Sequence, residues 1–69
     1  MPKLCSSRHI IGVLQKNNFF FVSRKGSHSK YRKTGKPTLT VIVPAGKKEI
    51  PHGTFRSILR QSKLEEKKF

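Results

Sequence analysis

The 69 residues carry sixteen Lys and Arg against three acids, a formal net charge of +13, and 33% of them are apolar. A small domain tolerates such self-repulsion when a polyanion is its usual neighbour, which points to nucleic acid, an anionic membrane or an acidic protein. The longest apolar run, Phe19-Phe20-Phe21-Val22, falls short of the roughly 18 residues that span a bilayer and of the about 7–15 in a signal-peptide core, so no membrane role or secretion is expected.

In chain order, Ser6 or Ser7 reads as an N-cap, followed by a helix to Lys16 with Ile10, Ile11, Val13 and Leu14 mostly along one face. Asn17-Asn18 is a natural left-handed stop. Phe19 to Arg24 reads as a strand from its aromatic and β-branched content, with Phe19 and Phe21 on one face and Phe20 and Val22 on the other. The expected role of Phe20 is core packing, with stacking on a nucleobase as the alternative. Gly26 permits a tight turn into a second strand, Ser27 to Arg32. The polar stretch from Lys33 to Pro37 is a hairpin signal. Thr38 to Val43 alternates as a third strand, with Leu39, Val41 and Val43 on one side, and Pro44 ends it. Ala45 to Ile50 reads as a basic loop. A last helix opens at Gly53-Thr54 with Thr54 as its cap, and Phe55, Ile58 and Leu59 at helical spacing give it one apolar face. The tail from Glu65 to Phe69 is expected to fray.

The order α-β-β-β-α predicts an α+β fold: two helices on one face of a three-stranded antiparallel sheet, the other face left open. Residues 1–69 are enough for one thin-cored domain.

The chemistry this composition allows is narrow. Cys5 is alone, so it forms no internal disulfide, and a reducing cytoplasm is the expected compartment. His9, His28 and His52 stand far apart without a cysteine pair, which is not zinc-ligand spacing. Glu49, Glu65 and Glu66 are too few for a two-carboxylate device or a magnesium nuclease site. Any catalysis is therefore expected without metal or cofactor.

One segment stands out. Arg24-Lys25-Gly26-Ser27-His28-Ser29-Lys30-Tyr31-Arg32-Lys33 sets an imidazole among five basic side chains. RNA is cut without metal when its own 2′-hydroxyl attacks the adjacent phosphorus, which needs a base, positive charge and an acid. An imidazole titrates near neutrality and serves as either proton carrier. Gly26 lets backbone amides approach a phosphate, and Ser27 and Ser29 add donors. On a regular strand His28, Lys30 and Arg32 share one face, the RNA-facing row, while Ser27, Ser29 and Tyr31 share the other. The bland reading of His28 is a passive surface histidine in a basic strand. Lys47 and Lys48, ahead of a helix N-terminus, are either phosphate contacts or solvated charge. His9 reads as a helix-surface residue, and His52 as structural or RNA-contacting.

Lys25-Gly26-Ser27-His28, with Glu49-Ile50 and the run from Gly53 to Gln61, resembles the HicA-type toxins, small RNA-cleaving proteins of bacterial and archaeal toxin–antitoxin pairs. The resemblance extends from the first helix to about Leu64. It implies a fold like the double-stranded RNA-binding domain, metal-independent mRNA cleavage dependent on His28, and a HicB-type antitoxin as partner. Lys25, Gly26, Ser27, Ser29, Lys30, Arg32, Lys47, Lys48 and Arg56 then become candidates for holding RNA. The chain departs from the family in one respect: many members carry a second histidine after the proline that ends the third strand, and here Pro44-Ala45-Gly46 occupies that place. Beside the nuclease stand two other readings, a non-catalytic RNA-binding module and a basic face whose main task is docking an acidic antitoxin.

Overall fold

The computed structural model describes residues 4–69, which form α1 (Ser7–Lys16), β1 (Phe20–Lys25), β2 (His28–Lys33), β3 (Leu39–Pro44), α2 (His52–Ser62) and a short 3-10 turn at Glu66–Lys68. The fold is α+β in the expected order, with one antiparallel sheet ordered β1-β2-β3. Each helix is too short to be stable alone, so packing holds it. Ile10 and Leu14 from α1 and Ile58 from α2 meet Tyr31, Val41 and Val43 on one sheet face, and Phe19 and Ile50 close the core.

Local chemistry sets the boundaries. The Ser6 hydroxyl caps α1 by accepting the His9 N–H at 3.1 Å. The helix ends where Asn18 adopts a left-handed φ of 71°. Phe19 then donates its N–H to the Leu14 carbonyl at 3.0 Å and turns its ring into the core. That use of Phe19 starts β1 one residue later than alternation predicts. The other strands also run one residue further on, and Pro44 stays in the ladder opposite His28.

Three expectations are corrected at the C-terminal end. Helix α2 begins at His52 with Pro51 as N-cap, and Thr54 lies inside its first turn rather than capping it. The Pro51 carbonyl accepts the Phe55 N–H at 2.9 Å, so the rigid proline sets the helix start without a side-chain cap. Ile50, read as the end of a basic loop, is fully buried. The tail does not fray: Phe69 packs edge-to-face on Phe55 with ring centroids 5.4 Å apart, and its carbonyl meets His9 Nε2. The apolar side chain at the end of a charged stretch is what ties the tail down.

Gln61 of α2 covers the outer edge of β3, its side-chain oxygen accepting the Ile42 N–H at 3.1 Å. The loop after β3 is also pinned. Ser7 Oγ donates to the Pro44 carbonyl at 2.5 Å and accepts the Lys47 N–H at 3.0 Å, while the Ser7 N–H donates to the Lys47 carbonyl at 2.9 Å. These bonds fix the end of β3, and with it the strand position facing His28.

Candidate nucleic-acid interface

The pairing register assigns every strand residue to a face, because residues directly opposite each other project to the same side. On the helix-covered side Ser29 and Tyr31 lie opposite Val43 and Val41. The open side carries three rows: Lys25, His28 and Pro44; Ser23, Lys30 and Ile42; Phe20, Arg32 and Thr40. The strand alternation therefore presents His28, Lys30 and Arg32 together, the row expected from the sequence. Ser29 is different. It is 5% exposed beneath the helices, so its expected place among the RNA contacts is corrected by the same alternation that exposes its neighbours.

His28 opens β2 and is exposed. Its ring joins Ser23, Lys25, Lys30 and Ile42 around a hollow of about 630 Å³, within the roughly 300–1,000 Å³ usual for ligand clefts. The two-residue turn Gly26-Ser27 joins Lys25 to His28, both of which line the hollow. Gly26 has a φ of 60°, which a side chain would strain, although a Cβ there would meet no atom within 4 Å. Glycine is needed for the backbone angle and not for space. Both turn carbonyls are engaged: Arg24 Nε donates to that of Gly26 at 3.0 Å, and Ala45 N–H to that of Ser27 at 2.5 Å. The second bond anchors the turn to the loop after β3.

The cations of this face are unneutralised. Among the described residues the one salt bridge joins Lys67 to Glu65 in the tail at 3.3 Å. Nor do any three His, Cys, Asp or Glu side chains among them cluster as metal ligands do.

Other candidates fall elsewhere. Lys47 lines a groove beside Arg8, Ile11 and Gln15 of α1. Lys48 borders a hollow with Ser6, His9 and Phe69. Arg56 and His52 wall a further hollow with Phe55, Glu66 and Phe69. The broad basic set read from the sequence thus divides into a sheet-face group around His28 and a helix-side group, and His52 does not line the hollow of His28. Ser23 and Ile42, absent from the sequence reading of the site, do stand on its face, and so does Phe20, whose expected core packing is corrected: it is 49% exposed on the open side. A β-bulge at Val22 brings Ser23 and Phe20 to the same side, and a four-residue apolar run gives no sign of the extra residue.

What these features define is a small, strongly basic α+β protein with one helix-covered and one open, cationic sheet face. The profile of the family described as the HicA toxin of bacterial toxin–antitoxin systems matches residues 7–64, and the chain belongs to that family. It is therefore a toxin–antitoxin toxin, which implies an antitoxin partner and, in general terms, an RNA target. No curated protein matches the chain in a sequence comparison. Among the described residues no helix is long and apolar enough to cross a membrane.

Proposed function

We propose that this toxin is a metal-independent endoribonuclease acting on mRNA, with His28 as general acid/base and residues 1–69 working as one RNA-cleaving domain. The observation that carries the reading is an exposed imidazole bordering a hollow shared with Lys25 and Lys30. In its neutral form His28 takes the proton of a ribose 2′-hydroxyl, whose oxygen then attacks the adjacent phosphorus. The bond from phosphorus to the 5′-oxygen breaks, leaving a cyclic phosphate and a free 5′-hydroxyl. Lys25 and Lys30 offset the negative charge that builds on the phosphorane. A water in the open hollow passes a proton to the leaving oxygen and regains one from the His28 imidazolium, because Ala45 stands where many relatives carry a second imidazole. Arg32 and the Gly26-Ser27 turn hold the flanking backbone, with Lys47, Lys48 and Arg56 as outlying contacts on the helix side.

The three carboxylates, Glu49, Glu65 and Glu66, lie in the loop and tail, which supports an imidazole mechanism over one built on acidic metal ligands. A HicB-type antitoxin in the cytoplasm would silence the toxin by covering the basic sheet face. The second reading, a non-catalytic RNA-binding module, is favoured by the single imidazole in the hollow.

The test compares the parent with folded His28→Ala on RNA in excess chelator. General acid–base catalysis contributes about 10²–10⁴-fold, so the variant should lose cleavage by that factor while still binding RNA. A parent that binds RNA without cutting it leaves the binding module standing. Equal cleavage by the two proteins removes His28 from the chemistry.

A further inference from the structure

Among the described residues two large hydrophobic side chains remain exposed, Phe20 at 49% and Phe21 at 53%. Their situations differ. Phe21 lies opposite Tyr31 on the helix-covered side and meets it edge-to-face, ring centroids 5.8 Å apart. Its exposure is the rim of the core. Phe20 lies on the open side, in the row of Arg32 and Thr40, where no apolar layer covers it.

The bulge at Val22 produces this arrangement. Phe21 pairs with Tyr31 and Ser23 with Lys30, so Val22 is the extra residue. In an unbroken strand Phe21, not Phe20, would fall in line with Ser23 and Lys25. Bulges commonly re-aim a side chain beside a functional site. Here the extra residue turns Phe20 onto the face that carries His28.

We propose that Phe20 is a nucleobase-stacking platform, holding by its ring a base that flanks the cleaved phosphate of single-stranded RNA. The inference rests on the RNA-cleaving reading above and adds the group that positions the strand. His28 and Arg32 are four residues apart on β2, about 13 Å at roughly 3.3 Å per residue. Phe20 stands one strand over from Arg32, so a chain lying across the face would meet His28 with its phosphate and Phe20 with a neighbouring base. Aromatic side chains on an open sheet stack unpaired bases in this way, between cations that follow the backbone. Arg32, in the same row, supplies such a cation. An exposed ring with positive charge beside it favours a flat, polyanionic ligand over a purely apolar one. Every base presents a π-face, so the platform selects unpaired over paired RNA and not one sequence over another.

The chain has no tryptophan, so Phe20→Trp installs a single indole at the site. In a His28→Ala background that leaves RNA intact, short fluorescein-labelled single-stranded RNA of mixed sequence is titrated in while its anisotropy and the indole emission are followed together. The emission at position 20 should be quenched as the RNA binds, and not when the RNA is a duplex. Phe21→Trp, on the other side of the sheet, should stay bright. Phe20→Leu keeps the apolar bulk but loses the stacking face, and should weaken binding about 5- to 150-fold, the span of base–aromatic stacking. Its dependence on salt should not change, since no charge is lost.

RNA that binds by anisotropy yet leaves the indole at 20 bright, or that quenches it equally as a duplex, overturns the platform alone. So does unchanged RNA affinity in Phe20→Leu with weakened capture of the antitoxin, which would make the ring a protein contact. If no RNA binds to any of these proteins, the RNA reading fails and the platform with it.

Discussion

Ser7→Ala measures how firmly the loop behind the His28 face is held. Ser7 is 3% exposed, and its hydroxyl serves two backbone groups at once, donating to the Pro44 carbonyl at 2.5 Å and accepting the Lys47 N–H at 3.0 Å. Alanine strands both. A buried polar group left without a partner costs about 1–3 kcal/mol. Lys47 is exposed and Pro44 half-buried, so water can recover the Lys47 N–H, and most of the cost falls on the Pro44 carbonyl. Alanine also favours the helix by a few tenths of a kcal/mol. The net loss is therefore about 1–3 kcal/mol. At roughly 0.05–0.15 kcal/mol per residue, a chain of this length has only about 3–10 kcal/mol in total. Thermal unfolding followed by circular dichroism should show the midpoint falling by about 4–8 °C for each kcal/mol lost, and in urea the midpoint should drop at an unchanged slope. Ser6→Ala is the control, since it removes only the N-cap bond to His9 and should cost about 1 kcal/mol. If Ser7→Ala stays within about 0.5 kcal/mol of the parent, as ordinary surface substitutions do, the two bonds do not fasten the loop and the reasoning fails.

Two further outcomes follow from burial. Ile50→Ala should cost about 2–5 kcal/mol and Ile50→Val about 0.5–1.5 by chemical denaturation, because the side chain is fully buried; an effect of loop-surface size in both would show that the loop does not belong to the core. Burial, and secondarily the charge of Glu66, push the Cys5 thiol above its ordinary range. The thiolate is the reactive form, so iodoacetamide at neutral pH should alkylate the folded protein more slowly than the urea-unfolded chain, and Glu66→Gln should recover part of the difference. Equal rates in folded and unfolded protein would contradict this.

Much of the site was readable from strand periodicity alone. A period of two places His28, Lys30 and Arg32 together wherever β2 begins, so an error of one residue in its boundary left the row intact. The same period argued against Ser29, whose neighbours on its face are Ser27 and Tyr31, and its burial follows from that rule. Phe20 resisted such reading. An apolar run of four residues contains no alternation to phase, and the extra residue at Val22 is defined only by what β2 presents opposite it.

The order of elements, the excess of positive charge and the imidazole in a basic strand were determined by the sequence itself, because they depend on local spacing and composition. Tertiary structure decided which distant segments share a surface. It separated Lys47, Lys48 and Arg56 from the hollow of His28, buried Ile50, and drew Phe69 back onto Phe55. Those outcomes depend on the register between strands and on how the helices seat against the sheet, relations between residues far apart in the chain that no local pattern encodes.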